Sequence, residues 1–248
     1  MRHADWKSRF LALSWQQKFL FLVTNQLPRR SATLLMGRLS KVEQPLVKNL
    51  MMALWQMFSD DLRLFEAKHQ HFKSMHDCFV REIKPEMRPI DNSRNTLVSP
   101  CDAVIGEYGS VCDGHAYQIK GAPYRINDLF GDEDVARRYA GGNFCTLRLK
   151  SSMYHHFHAP WHGVINEVIY ISGDTWNVNP ATLKVIDALF CKNERAVVEL
   201  KTCDQQIAIV AVAAILVASI RVHGLPEPLN LNYRGPNHLP LKRSVSKG

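Results

Sequence analysis

The sequence predicts an α+β protein in which amphipathic helices are followed by a β-rich, barrel-like or sandwich-like domain. Two observations support this prediction. Apolar residues recur at helical spacing in the first third of the chain, and from about residue 79 short apolar runs are separated by Gly, Pro, Asn and Asp. This change divides the chain into a helical region over residues 1–70 and a β-rich domain over residues 71–248.

The helical region carries two apolar stripes. One stripe consists of Trp15, Phe19, Leu22 and Val23, and the other consists of Val47, Leu50, Met51, Leu54, Trp55 and Phe58. Between them, residues 27–31 break the pattern, and Ser31 is the expected N-cap of a helix that runs through Leu39. Apolar stripes usually face a protein core, but the neighbouring arginines keep open a second interpretation, in which the helices dock on a membrane surface.

The second region contains a series of predicted strands. They cover residues 97–98, 104–105, 144–149, 164–171, 196–200 and 207–220, and one helix is predicted over residues 126–139. The longest apolar run, residues 207–218, is too short to cross a bilayer as a helix and is rich in Val and Ile. It is therefore interpreted as a buried strand.

Composition narrows the classes of function. The 248 residues are 46% hydrophobic, and the net charge of +8 is spread in Lys/Arg pairs, so an anionic membrane is at least as good a partner as nucleic acid. The six cysteines include no CxxC pair, which argues against zinc ribbons and thioredoxin-like sites and favours free thiols in a reducing cytosol. The first seven residues contain no apolar segment and no cleavage site, so no secretory signal is predicted.

The densest group of chemically versatile residues lies between Tyr154 and Gly163. It contains four histidines, namely His155, His156, His158 and His162. Histidine is the usual proton shuttle near neutral pH and a common metal ligand. Because a zinc site needs three or four converging ligands and the spacing alone does not supply them, we expect no metal. Proton transfer and ordinary polar residues at a strand end both stay open.

Two further segments are candidates. Asp102 stands at the start of a predicted strand, where an acid can orient a histidine that activates a hydroxyl, although Pro-x-Asp is mostly a turn sequence. Residues 172–180 form a polar stretch between apolar runs. This stretch either lines a pocket or is a plain loop.

Taken in order, these motifs resemble the phosphatidylserine decarboxylase family. The similar segments are Phe79-Val80-Arg81-Glu82, Arg88-Pro89-Ile90-Asp91, Ser99-Pro100-Cys101-Asp102-Ala103, Ile119-Lys120-Gly121 with Tyr124, Tyr154-His155-His156-Phe157-His158-Ala159-Pro160, Gly173-Asp174-Thr175-Trp176-Asn177-Val178-Asn179 and Asn193-Glu194-Arg195. The resemblance covers about residues 70 to 222, and the helical N-terminal region also fits it.

The resemblance implies a lyase that converts phosphatidylserine to phosphatidylethanolamine and carbon dioxide. In this family a serine of a Gly-Ser-Thr/Ser motif breaks the chain in front of it and becomes a pyruvoyl group on a small second chain. The pyruvoyl carbonyl forms a Schiff base with the amine of phosphatidylserine and accepts the electrons that remain when carbon dioxide departs. The resemblance further implies that Asp102 orients His158, that His158 activates the serine, and that His155 handles the proton in decarboxylation.

The sequence also departs from the family pattern. Met153 stands where an acid is common, His156 stands where an arginine is common, and the 248 residues contain no Gly-Ser-Thr. The last residues, Val245-Ser246-Lys247-Gly248, resemble the segment shortly before the cleavage motif. We therefore expect the serine that forms the pyruvoyl cofactor to lie beyond Gly248, and we expect residues 1–248 alone to be inactive.

Partners and location follow from the same resemblance. The expected partners are phosphatidylserine, an anionic membrane surface and a small C-terminal chain that carries the pyruvoyl group. A homodimer is one expected assembly, and nucleic acid is not an expected partner. The expected location is the cytoplasmic side of the inner membrane, with residues 1–70 as the membrane-associating region. Two alternatives stay open: a lipid-binding or scaffold protein that has this fold without the cofactor, and a metal-dependent hydrolase.

Overall fold

The helical first part of the sequence prediction is confirmed. The computed structural model describes residues 6–25, 27–119 and 122–248, so Lys120 and Gly121 of the family-like motifs lie outside the described residues. The first helices are α1 (Trp6–Leu11), α2 (Trp15–Asn25), α3 (Arg29–Leu39) and α4 (Pro45–Phe58). Because Pro28 is the residue at the N-cap and α3 begins at Arg29, the predicted capping role of Ser31 is wrong, and Ser31 lies in the first turn.

The β-rich part is also confirmed, and its sheets are antiparallel. The strands are β1 (Val104–Ser110), β2 (His115–Ile119), β3 (Ala122–Arg125), β4 (Asn143–Arg148), β5 (Gly163–Ile171), β6 (Arg195–Lys201), β7 (Gln206–Val212) and β8 (His238–Val245). Within the described ranges, β1 pairs with β4, β2 pairs with β3, and the largest sheet has the order β7-β6-β5-β8. The described residues also form five short helices, namely α5 (Met75–Phe79), α6 (Ile126–Phe130), α7 (Glu133–Arg138), α8 (Pro180–Val185) and α9 (Leu189–Lys192). This arrangement is sandwich-like.

Several boundaries differ from the prediction for local reasons. The single helix predicted over residues 126–139 is divided into α6 and α7. Gly131 ends α6 with a positive φ of 68°, and the side chain of Asp132 accepts a hydrogen bond from the N–H of Val135 at the start of α7. Residues 97–98 form no strand, and the strand predicted to reach residue 220 ends at Val212.

The largest sheet is covered on both faces. Ile169 of β5 and Val197 of β6 belong to a buried cluster on one side, together with Phe130 of α6. On the other side, Val168 and Val198 belong to a second buried cluster, because neighbouring residues of a strand point in opposite directions. Because β6 lies inside the sheet and between the two buried clusters, nearly all of its residues are buried.

The N-terminal helices are attached to this core by specific contacts. Leu13 and Phe21 form a buried cluster with residues of α8. The guanidinium of Arg29 at the start of α3 binds the carboxylate of Asp174 and lies 3.6 Å from the ring centre of Trp176. Backbone hydrogen bonds join residues 66–68 to residues 82–84, so contacts also cross residue 70.

Two of the family-like motifs build a buried junction. Asn193 donates hydrogen bonds from its side chain to the carbonyls of Trp176 and Ala213, and it accepts one from the N–H of Trp176. The guanidinium of Arg195 donates to the carbonyl oxygens of Asp128, Leu129, Cys191 and Asn193. Of the two interpretations of residues 172–180, these contacts favour a structural loop over the lining of a pocket.

Glu194 lies inside this junction and is 0% exposed. Its Oε1 atom is 2.9 Å from the hydroxyl of Tyr170, and that hydroxyl is 2.8 Å from the carbonyl oxygen of Asn230. Its Oε2 atom has no hydrogen-bond partner among the described residues. Burial raises the pKa of Glu194 to about 7. A protonated Glu194 can donate a hydrogen bond to the hydroxyl of Tyr170, and this hydroxyl can then donate to the carbonyl oxygen of Asn230. The neutral form of Glu194 therefore suits this site.

We expect Glu194→Gln to weaken the dependence of folding stability on pH. The folded pKa of about 7 lies above the unfolded value of about 4.3, so the wild-type protein loses stability as the pH rises between them. At pH 8 the variant should be more stable than the wild type by about 1–3 kcal/mol, and at about pH 4 this difference should disappear. Urea unfolding at both pH values measures it, with the exposed Glu227→Gln as control. Equal pH dependence in wild type and Glu194→Gln would contradict the assignment.

Candidate active site

The histidine segment, residues 154–162, contains no helix or strand and is held between β4 and β5. The N–H of His158 donates to the carbonyl of Pro100 over 2.7 Å, and the N–H of Val98 donates to the carbonyl of Pro160 over 3.2 Å. These two bonds hold the segment against residues 98–102. The structure therefore places the Asp102 segment and the histidine segment side by side.

His158 has polar and charged neighbours on several sides. Its Nε2 atom is 3.1 Å from the hydroxyl of Tyr154, and the two rings are stacked with centres 5.6 Å apart. Burial is the main cause that lowers the pKa of His158, and the electrostatic influence of the neighbouring His156 lowers it further. The negative charge of Asp102 and a hydrogen bond to the backbone of Gly248 act in the opposite direction. A lowered pKa makes neutral imidazole the main form at neutral pH, which is the form that accepts a proton.

Asp102 is bound most closely by an arginine. Arg88 donates from Nε to Oδ1 over 2.8 Å and from Nη2 to Oδ2 over 2.6 Å. The same guanidinium donates to Glu66 over 2.8 Å, so two carboxylates share it. Among the described residues no hydrogen bond joins Asp102 to His158, and the carboxylate acts on the imidazole through space. That Asp102 orients His158 stays a prediction.

His155 is partly buried and packs against an aromatic side chain. Its ring centre is 4.0 Å from that of Phe79, and Phe79 in turn is 5.9 Å from Trp55 of α4. Burial lowers the pKa of His155 to about 4. The Nδ1 atom is 2.8 Å from the carbonyl oxygen of Met153, so Nδ1 carries the proton of the neutral ring and Nε2 keeps a lone pair.

His156, the residue that replaces the arginine common in the family pattern, binds the backbone. Its Nε2 atom is 2.9 Å from the carbonyl oxygen of Val80. Its ring is stacked on that of Tyr154, with centres 4.7 Å apart. His156 therefore connects the histidine segment to the end of α5 and differs in its contacts from both His155 and His158.

Residues that follow β8 enter the same site. The N–H of Gly248 donates to the carbonyl of Ala159 over 2.9 Å, and Gly248 also contacts the ring of His158. The N–H of Lys247 is 3.3 Å from Nδ1 of His162. Neither Tyr154 nor Lys247 had been assigned a role from the sequence. Arg88 belongs to a quoted family-like motif, but nothing in that motif indicated which acid it binds.

Comparison with known proteins decides the family. The family model described as phosphatidylserine decarboxylase matches residues 75–248. The phosphatidylserine decarboxylase proenzyme of Myxococcus xanthus is 34% identical over 197 residues, which cover 79% of this chain and 70% of that protein. The proenzyme of Acinetobacter baylyi is 32% identical over 225 residues, which cover 88% of this chain and 79% of that protein. This chain belongs to the phosphatidylserine decarboxylase family.

In this member of the family, an open cleft of about 530 Å³ lies at the C-terminal end of α4. The cleft is lined by Met57, Phe58, Ser59, Asp60, Lys150, Ser151 and Ser152. Lys150 binds Asp60 over 2.8 Å across it, and the Ser59 and Ser151 hydroxyls are 3.0 Å apart. The turn that begins at Lys150 ends at Met153, the residue whose carbonyl holds His155. A single turn therefore connects the cleft to the start of the histidine segment.

Neither a candidate metal site nor a helix able to span a membrane is found among the described residues. The described residues include no cluster of three or more side chains able to hold a metal ion, and all six cysteines are free thiols. None of the helices in the described part of the chain combines the length and apolar character needed to cross a bilayer.

Proposed function

We propose that this protein converts phosphatidylserine to phosphatidylethanolamine and carbon dioxide, using a pyruvoyl group formed from a serine beyond Gly248. One observation carries the proposal: the ring of His158 contacts Gly248, so a chain that continues past this residue starts beside an imidazole. The relatives of the same family are named proenzymes, which supports a processed chain. The small second chain produced by processing would then remain next to the histidine segment.

In the self-cleavage step, His158 is proposed to accept the proton of the serine hydroxyl. Its lowered pKa keeps the ring neutral near pH 7, and Tyr154 fixes the position of its Nε2 atom. As the ring takes up a proton, the nearby negative charge of Asp102 stabilises the imidazolium. The Arg88 contacts hold that carboxylate in place, since both of its oxygens accept hydrogen bonds from a cation.

In the decarboxylation step, His155 is proposed to move the proton that replaces the carboxylate. The pyruvoyl carbonyl supplies the electron acceptor for this reaction when it is in place. A histidine with a pKa of about 4 is neutral at pH 7, and its protonated form gives up a proton readily. The hydrogen bond to Met153 and the Phe79 ring fix the direction of the free Nε2 atom.

The N-terminal helices are proposed to dock on an anionic membrane, which places the protein peripherally on the cytoplasmic side of the inner membrane. The structure divides α4 into two apolar faces. Trp55 is only 8% exposed and packs against Cys78 and Leu62, whereas Phe58 is 83% exposed. The outward face of α4 also contains Leu46, Leu50, Leu54 and Met57. Trp15 and Phe19 form a similar exposed pair on α2. Apolar surface beside a net charge of +8 suits binding to anionic lipid.

Replacing both Trp15 and Phe58 with serine should weaken binding to vesicles that contain anionic lipid by about tenfold or more, since each aromatic ring loses apolar contact area. Vesicle sedimentation measures this change. Tyr108→Ser is the matched control, because Tyr108 is 74% exposed but lies on β1. Trp55→Ala is expected to lower folding stability by about 3–5 kcal/mol instead, because Trp55 belongs to the core. Unchanged vesicle binding of the double variant would contradict the proposed docking face.

The proposed activity is tested on the protein expressed from its complete reading frame. Mass spectrometry should find two chains, and the second should begin with a blocked N-terminus. The protein should release carbon dioxide from phosphatidylserine in detergent micelles. A complete protein that stays uncut, or one that is cut but releases no carbon dioxide, would contradict the proposal. An uncut protein that still binds vesicles would support the lipid-binding alternative.

A further inference from the structure

The side chain of Lys247 is held in a cage at the end of the described chain. It is only 8% exposed. Its Nζ atom donates to the carbonyl oxygen of Ser93 over 3.0 Å and to that of Thr96 over 2.7 Å. The same atom lies 4.5 Å from the ring centre of Trp161. Two carbonyl dipoles and an aromatic face therefore surround the ammonium group.

Such a cage is an uncommon environment for a lysine. Lysine side chains are rarely fully buried unless they are paired, because an ammonium group loses hydration when it leaves water. Among the described residues, no ion pair joins Lys247 to a carboxylate within 4.0 Å, and Asp91 interacts with its charge only through space. The carbonyls of Ser93 and Thr96 and the Trp161 ring make the direct contacts. Lys242 of β8, five residues earlier, is exposed. The contrast with the exposed Lys242 indicates that these contacts fix the position of the Lys247 side chain.

The backbone next to this cage is directed at His158. β8 ends at Val245, so ladder hydrogen bonds no longer fix the chain at Lys247 and Gly248. Two contacts replace them: Lys247 N–H with His162, and Gly248 N–H with the carbonyl of Ala159. Gly248 has a φ of +83°, and a Cβ atom there would lie 2.8 Å from the side chain of Ile90. Its backbone conformation and its surroundings both favour glycine.

We propose that Lys247 is the positioning residue that delivers the chain beyond Gly248 to His158 for self-cleavage. This inference rests on the proposed function, since it concerns the same serine. The cage fixes the last side chain before Gly248, and Gly248 then turns against the histidine segment. A displacement of about 1 Å at a reacting centre can slow a reaction by on the order of 100-fold, so release of the chain that leads to the serine is expected to slow cleavage.

The first test follows self-cleavage of the protein from its complete reading frame. Lys247→Met should slow cleavage by on the order of 100-fold, and Lys247→Arg should recover part of the rate because it keeps a cation that can donate to the carbonyls. Lys242→Met is the matched control and should cleave at the wild-type rate. A Lys247→Met protein that cleaves normally would overturn the inference. A wild-type protein that does not cleave would instead contradict the proposed function.

The second test uses residues 1–248 alone and does not depend on cleavage. Amide hydrogen exchange of Gly248, measured by NMR, should become faster by about tenfold or more in Lys247→Met, because its bond to Ala159 is released. Exchange of Val168 in the core of β5 should not change, which distinguishes local release from general loss of stability. Lys247→Gln repeats the test if the methionine variant does not fold. Unchanged exchange at Gly248 in a folded variant would show that the cage does not hold this residue.

Discussion

His158→Ala is expected to abolish the proposed self-cleavage of the protein expressed from its complete reading frame, with a fall in rate of at least about 1,000-fold. The serine hydroxyl is a weak nucleophile until a base takes its proton, and His158 is the imidazole that contacts Gly248. The rate is measured by the appearance of the small chain on denaturing gels over time. His71→Ala, at an exposed position outside the site, is the control and should cleave normally.

The pH dependence of self-cleavage gives a second measure of the role of His158. Its lowered pKa predicts a rate that rises as the imidazole loses its proton in the acidic range and is level by neutral pH. Removing the negative charge in Asp102→Asn should lower the pKa of His158 further and reduce the rate, since the imidazolium loses a stabilising neighbour. Normal cleavage by a folded His158→Ala protein would exclude His158 as the base.

His155→Gln is expected to separate the two reactions. The variant should still cleave itself, because His155 faces Phe79 and Met153 while His158 contacts Gly248. Decarboxylation should fall by about 100- to 10,000-fold, the usual contribution of a positioned group that transfers a proton. Carbon dioxide release per cleaved chain measures this effect. Loss of both reactions would indicate that His155 has a structural role.

The neighbouring histidine supplies a matched control for this experiment. His156→Arg restores the residue common in the family pattern and keeps a donor for the carbonyl of Val80, so near-normal activity is expected. The wild-type enzyme should also show no change in rate between pH 6 and pH 8 that arises from His155, because a pKa of about 4 leaves its ring neutral throughout. Retention of wild-type decarboxylation by His155→Gln would contradict the assignment.

Local patterns in the sequence were sufficient for much of the fold. Alternation and apolar runs located β1, β4, β5 and β6, because burial on a sheet leaves a clear periodicity. The β2–β3 hairpin and β8 were missed, and β8 contains Pro240, which is unusual inside a strand. The break between α6 and α7 had a signal in Gly131 followed by Asp132, a helix end beside a helix cap.

The two faces of α4 show why pattern alone was insufficient at the surface. The predicted stripe joined Trp55 and Phe58, whereas the structure buries the first and exposes the second. A helix that is apolar on both sides does not indicate which side the protein core covers. Only the packing of Trp55 against residues of α5 decides this.

The candidate site was predictable where a family-like motif brought its residues together. Asp102 and the histidine segment lie side by side, as their motifs suggested. The partners of these residues carry no local signal: Arg88 binds acids that lie 14 and 22 residues away. The Lys247 cage consists largely of backbone carbonyls, which have no sequence signature at all.

The sharing of Arg88 between Glu66 and Asp102 bears on how such an enzyme is shortened for study. A protein that starts after residue 70, shortened to remove the exposed apolar side chains of α2 and α4, would also lack Glu66. The carboxylate of Glu66 is one of the two that bind the Arg88 guanidinium. Arg88 would then bind Asp102 alone, and the orientation of its guanidinium against Asp102 would change. Truncation at this point would therefore also change a contact of the candidate site, and point changes on the outward faces of α2 and α4 are the better route.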